Sequence, residues 1–173
     1  MKFLHTIMAA AVAGLVAGCS SIDCNIEGRV LCHYGLQDSE GNDVTLAYPM
    51  SITFHRTAAE SDTVYINQMS NVTSFDLPMS YDAETDEIDM TLHLTDPADT
   101  TGMSDQDITD IIRITKTNTP QFESVDCSPR YHHSIVAVSS THNFIDTVIV
   151  NNSKVSNDAS VTNIHIRLYG SGS

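Results

Sequence analysis

Apolar and polar residues alternate one for one along most of this chain, and that spacing constrains its fold more than any motif does. A β-strand sends successive side chains to opposite faces, so period two marks a strand with one face in a core. Val30, Cys32, Tyr34 and Leu36 share one such face. Strand-like runs fall at 28–36, 44–47, 51–56, 63–67, 72–77, 87–94, 108–117, 130–139, 145–150 and 161–169. They are rich in β-branched and aromatic residues, as in Ser51-Ile52-Thr53-Phe54-His55 and Asp146-Thr147-Val148-Ile149-Val150. Turn formers separate them at Asp38–Asp43, Pro97-Ala98-Asp99 and Asn151-Asn152. Ser104–Ile112 has the makings of a helical turn capped by Ser104, although it runs on into the strand Ile112-Arg113-Ile114. Short strands without a long helix predict an all-β fold, a single antiparallel β-sandwich of immunoglobulin-like or Greek-key type. No internal repeat or linker divides it, so the sandwich spans residues 28–170.

The first 18 residues do not belong to that pattern. Lys2 supplies a positive start, Ile7–Val16 is apolar, and Ala17-Gly18 are small, the order of an export signal. A bilayer core about 30 Å thick needs about 20 apolar residues, so this run is too short to span it. The block Leu15-Val16-Ala17-Gly18-Cys19 resembles the lipobox of bacterial lipoproteins. That resemblance implies cleavage after residue 18 and lipidation of Cys19. Two or three acyl chains anchor a protein durably where one does not. Residues 19–27 then read as a lipidated tether, and the membrane is a partner through Cys19.

Without Lys2 the chain keeps seven basic side chains against 22 acidic ones, a formal charge of −15. It repels phosphate backbones, which argues against nucleic-acid binding. At 41% hydrophobic it has material for one core and is not expected to be disordered. Cys19 aside, the cysteines are Cys24, Cys32 and Cys127. An oxidising compartment favours pairing, and three thiols allow one bridge. Cys24–Cys127 is the preferred pair because both sit in turn-like contexts, with Cys32–Cys127 as the alternative.

Several segments, taken in order, resemble a family of small uncharacterised lipoproteins from Bacteroidetes. They are Asp62–Ile66, Phe75–Met79, Phe122–Ser128, Thr141 with Ile145–Ile149, and Thr162–Ile166. The resemblance covers most of the chain after Cys19 and implies an all-β lipoprotein domain with no activity or catalytic residues to carry over. Ser128 stands where the family usually has Gly after the cysteine. Asp62-Thr63-Val64, Asp99-Thr100-Thr101 and Asp146-Thr147-Val148 also resemble the O-glycosylation sequon of exported Bacteroidetes proteins. Thr100, in a polar loop, is the first candidate for modification, before Thr63 and Thr147.

Few residues point to chemistry. His132 and His133, with His142 nearby, are of the ligand type for transition metals, but adjacent strand residues face opposite ways. The acidic run Asp82–Asp89 has oxygen ligands for Ca²⁺ yet lacks the spacing of a calcium loop, and reads as a solvated hairpin loop. Cys127 and His132 suggest a thiol nucleophile only if the thiol is unpaired. Hydrolase, metalloprotease and nucleotide-binding fingerprints are absent. The expectation is a domain without enzymatic activity, metal or cofactor. It would be a binding or interaction module of the cell envelope with a protein or glycan partner, on a periplasm-facing outer-membrane lipoprotein. A structural or assembly subunit of a pilus-like surface polymer is the alternative, and an uncharacterised enzyme a distant one. The C-terminal run 161–169 reads as an integral core strand, which favours the binding module.

Overall fold

A computed structural model describes residues 30–55, 62–94, 105–122, 127, 129–156, 158 and 160–170. The chain divides into two compact units. One comprises residues 28–121 and 129–173 and carries every strand among the described residues; of the other, residues 1–27 and 122–128, only Phe122 and Cys127 are described. Cys19, Cys24 and Thr100 lie outside the described residues.

Among the described residues there are ten strands and no helix. They are β1 (Leu31–Gln37), β2 (Met50–His55), β3 (Thr63–Met69), β4 (Ser74–Pro78), β5 (Thr85–Leu94), β6 (Gln106–Gln121), β7 (Arg130–Ser140), β8 (Ile145–Val150), β9 (Lys154–Val155) and β10 (Ile164–Leu168). A four-stranded sheet runs β4-β1-β10-β8, and a six-stranded sheet runs β3-β2-β5-β6-β7-β9. Period two dictates how they pack. Met50, Ile52 and Phe54 of β2, Ile88, Met90 and Leu92 of β5, and Ile112 and Ile114 of β6 are buried. They share a core with Cys32, Tyr34 and Leu36 of β1, Phe75 and Leu77 of β4, and Ile164, Ile166 and Leu168 of β10. Tyr34 and Phe75 stack there, ring centroids 4.8 Å apart. The all-β sandwich expected from the pattern is the fold observed.

Four details differ from the sequence reading. The sheets are mostly antiparallel, but β1 and β10 pair in parallel, with Tyr34 opposite Ile164 and Gln37 opposite Arg167. Side-chain alternation is the same in either direction, so the pattern carries no direction signal. The run 44–47 forms no strand, only a bridge from Leu46 to Val72. Gln106–Ile112 is strand and no helical turn, because β5 offers it an antiparallel partner from Ile88 to Leu94. The acidic run is no hairpin loop. β4 and β5 lie in different sheets, the chain crosses between them at residues 79–84, and Asp86 to Asp89 are already in β5.

The crossing from β7 to β8 is held by one buried carboxylate. Asp110 is fully buried, and its Oδ1 accepts from Thr141 Oγ1 (2.6 Å) and the Asn143 amide (2.8 Å). Its Oδ2 accepts from the amides of Phe144 and Ile145, both at 2.8 Å. Asp110→Ala would strand three backbone donors, each worth about 1–3 kcal/mol when buried and unmet. The expected loss is about 3–5 kcal/mol in urea denaturation, and Asp110→Asn should retain part of it. A loss below about 1 kcal/mol for Asp110→Ala would refute this account.

Candidate binding site

Two polar clusters stand out once the strands are in register, and neither is local in sequence. The first lies inside the sandwich at the end where the chain crosses from β4 to β5. Alternation turns Asp86 inward with Ile88 and Met90, and Lys116 inward with Ile112 and Ile114. Asp86 is 2% and Lys116 1% exposed. Lys116 Nζ donates to Asp86 Oδ1 (3.1 Å), Ser80 Oγ (3.0 Å) and the Ala83 carbonyl (2.6 Å). Ser80 Oγ donates in turn to Asp86. Asn118 Nδ2 donates to the carbonyls of Tyr81 (3.1 Å) and Ala83 (2.8 Å). Its Oδ1 therefore accepts from His133 Nδ1 at 2.8 Å.

The segment 79–84 is thus tied from below by three side chains. Within it the exposed Tyr81 stacks on Tyr131 of β7 with ring centroids 5.2 Å apart and planes 25° apart. Burial raises the Asp86 carboxyl above the usual range, against the opposing pull of Ser80 and Lys116. Burial, then the Lys116 charge, then His132 push His133 down to about 4. At neutral pH His133 is an uncharged donor inside the cluster.

The second cluster lies on the outer face of the six-stranded sheet. Ser51 Oγ is 2.7 Å from His93 Nε2, and His93 Nδ1 is 2.7 Å from Asp107 Oδ1. Thr91 and Thr109 share a hydroxyl hydrogen bond of 2.8 Å beside them. Farther along, His55 reaches Asp89 (2.9 Å) and Asp62 (3.2 Å), and Arg113 donates to Glu87 (2.6 Å). The Asp89 hydrogen bond raises His55 above its ordinary value.

The residues singled out from sequence are dispersed. His132 and His133 point to opposite faces, His132 to an exposed contact with Gln121 and His133 to Asn118. His142 bonds the Ile145 carbonyl. Among the described residues no three His, Cys, Asp or Glu side chains converge as a metal site would need. Cys32 is a buried free thiol, pushed up to about 12 chiefly by burial, so the alternative pair Cys32–Cys127 is not formed. Cys127 is half-buried and is not a free thiol, which removes the Cys127–His132 nucleophile. Thr63 opens β3 and Thr147 lies within β8, both half-buried. Sequence reading put Asp86 in a solvated loop and missed Lys116 and the Ser51–His93–Asp107 set, since only strand register brings each together.

A model of a family described as being of unknown function, DUF6452, matches residues 51–169. Neither the curated proteins nor the solved structures contain a match.

His133 makes the first cluster sensitive to acid. The unfolded imidazole takes a proton near 6.5 and the folded one near 4. Between those values the unfolded state binds more protons, so stability falls as pH drops from about 6.5 to about 4 and this loss stops below that. The contribution is up to about 3 kcal/mol. Denaturation from pH 7 to pH 4 should show a shallower decline in His133→Gln than in the wild type. Parallel declines would show that His133 does not titrate in this way.

Proposed function

The chain belongs to the DUF6452 family of unknown function, and from that premise we propose that it is a lipid-anchored envelope protein binding a glycan at Tyr81 and Tyr131. One observation carries the reading: a buried charged network holds a surface segment in place. A buried ion pair seldom adds net stability over apolar packing, because desolvation offsets the attraction; a better-attested use is conformational specificity. Lys116 and Asn118 fix the carbonyls of Tyr81 and Ala83, and that fixes the aromatic pair. Tyr81 is 63% exposed, which wastes an apolar ring unless something covers it. A stacked aromatic face with hydroxyls suits the apolar face of a sugar ring, and a formal charge of −14 disfavours anionic polymers.

The assembly-subunit alternative draws less support. A detachable terminal strand should lie at a sheet edge, whereas β10 lies between β1 and β8 with Ile164, Ile166 and Leu168 buried. The anchor at Cys19 rests on the lipobox resemblance, and we assign the domain to the periplasmic face of the outer membrane because Asp23 is the one acid in Ser20–Asp23. We pair Cys24 with Cys127, leaving Cys32 reduced in the core, and favour Thr100 for O-glycosylation.

A glycan array probed with the wild-type chain should show at least one neutral oligosaccharide bound. Tyr81→Ala and Tyr131→Ala should each weaken it about tenfold or more, with stability changed by under about 1 kcal/mol for Tyr81→Ala. Absence of binding, or binding indifferent to both substitutions, would sink the reading. Protease treatment of intact cells should leave the domain uncut, and its release would place it on the outer surface instead. Peptide mapping of that cell-derived protein without reductant should recover Cys24 joined to Cys127; a free Cys24 would exclude the bridge.

A further inference from the structure

Three adjacent strands place a serine, a histidine and an aspartate in line on one solvent-facing surface. Ser51 of β2 pairs with Thr91 of β5, which sets His93 diagonally across from it on the same face. His93 pairs directly with Asp107 of β6. Direct and diagonal cross-strand neighbours are within reach of long side chains, so the register alone allows the contact. The hydrogen bonds are aligned for proton transfer. Ser51 Oγ meets Nε2 and Asp107 meets Nδ1, each at 2.7 Å. A carboxylate at Nδ1 keeps that nitrogen protonated and leaves Nε2 free to accept from the serine hydroxyl.

The backbone beside Ser51 is also out of the ordinary. Register between β2 and β3 slips between Met50 and Ile52, around Ser51. Gln68 adopts φ 48°, left-handed for a residue with a side chain, and its amide points at Ser51 Oγ from 3.0 Å. Strained backbone of this kind tends to gather at functional sites. Here it supplies an N–H donor next to the serine oxygen.

We propose that Ser51 is a nucleophile activated by His93 and oriented by Asp107, and that it cleaves short-chain carboxylic esters. Ser51 Oγ attacks the ester carbonyl carbon while its proton passes to His93 Nε2. Collapse of the tetrahedral adduct breaks the bond to the alkoxide, which leaves as an alcohol with that proton. Water then attacks the acyl-serine, gives one proton to His93, and releases the carboxylic acid as the proton returns to Ser51. Ser51 and His93 touch the reacting atoms; Asp107 is a positioning residue. Register puts Thr53, Thr91 and Thr109 around the serine on this face in place of an apolar groove, so a short acyl group fits better than a long one. The inference goes beyond glycan binding, which would take place at the Tyr81–Tyr131 pair, and departs from the expectation of a domain without catalysis.

A fluorophosphonate probe with a short alkyl group, incubated with the intact chain, is expected to label Ser51 as located by peptide mass mapping. Hydrolysis of p-nitrophenyl acetate should fall to background in Ser51→Ala. In His93→Gln and Asp107→Asn kcat should drop roughly 10²-fold or more with little change in KM. Asp107→Glu should recover part of that loss and Asp107→Ala none. Circular dichroism and urea denaturation identify the variants that fold. A folded wild-type chain that resists the probe, or hydrolysis equal in Ser51→Ala, would leave the three residues as a structural ladder and overturn the proposal without touching the tyrosine site. Rates unaffected by every Asp107 substitution would remove Asp107 from it.

Discussion

The four-stranded sheet exists because the first strand and the last pair with each other. Among the described residues, β4 bonds only to β1 and β8 only to β10, so the β1–β10 pairing alone joins these two halves into a sheet. Its parallel partners, Tyr34 and Ile164, are separated by nearly the whole described chain. Loop-closure entropy makes such a contact expensive to form before the intervening elements are in place. One side chain secures it. Asn163 is buried; its Oδ1 accepts from the His33 amide at 3.0 Å, while its Nδ2 donates to the Asn152 and Lys154 carbonyls. Asn163 therefore ties β1, the start of β10 and the β8–β9 turn at one point. The Asn163 amide has its own oxygen and nitrogen met in the native register, and a slip of one residue would break all three bonds.

The same logic explains the other inward-facing polar residues. Asp110, Asp86 and Lys116 sit where alternation would put an apolar side chain, and each is used at a crossing between sheets. Asp110 gathers three amides of the β7–β8 connection. Lys116 gathers the Ala83 carbonyl and Ser80 hydroxyl of the β4–β5 connection. Backbone that leaves a strand to cross the edge of a core carries donors and acceptors no ladder can satisfy. A charged side chain rooted in the neighbouring strand meets several at once, which a neutral apolar residue cannot do. The two connections differ in what they support: the first only joins strands, whereas the second carries an exposed aromatic pair.

How much of this was legible in the sequence follows from which signals are local. Alternation is local, and it places β2, β4, β5, β7 and β8 to within two residues of their ends. It identifies Tyr34, Leu36, Ile52 and Ile164 as core. Two-residue β9 is too short to carry a period, and it forms because His133 and Ser134 offer partners to Val155 and Lys154. Asp82–Asp89 reads as solvated because five acids in eight residues ordinarily are, and nothing near them announces Lys116, 30 residues on. Ser51, His93 and Asp107 fit the polar side of their strands, so each is individually what alternation expects. Their convergence depends on pairing register, which a single sequence does not encode in any readable spacing.

The cysteines show how burial decides reactivity where counting cannot. An odd thiol in an oxidising compartment is a liability when its thiolate is accessible, since the thiolate is the reactive form. Cys32 escapes through position. It faces the core from β1 beside Tyr34, a side-chain hydrogen bond joins the two, and burial still lifts the thiol to about 12. Oxidation at Cys32 thus requires β1 to leave the sheet, and β1 is held by β4, by β10 and by Asn163. The interaction that builds the four-stranded sheet is therefore also the one that keeps its thiol inert. Cys32 is then a packing residue, and needs no redox role to account for its place.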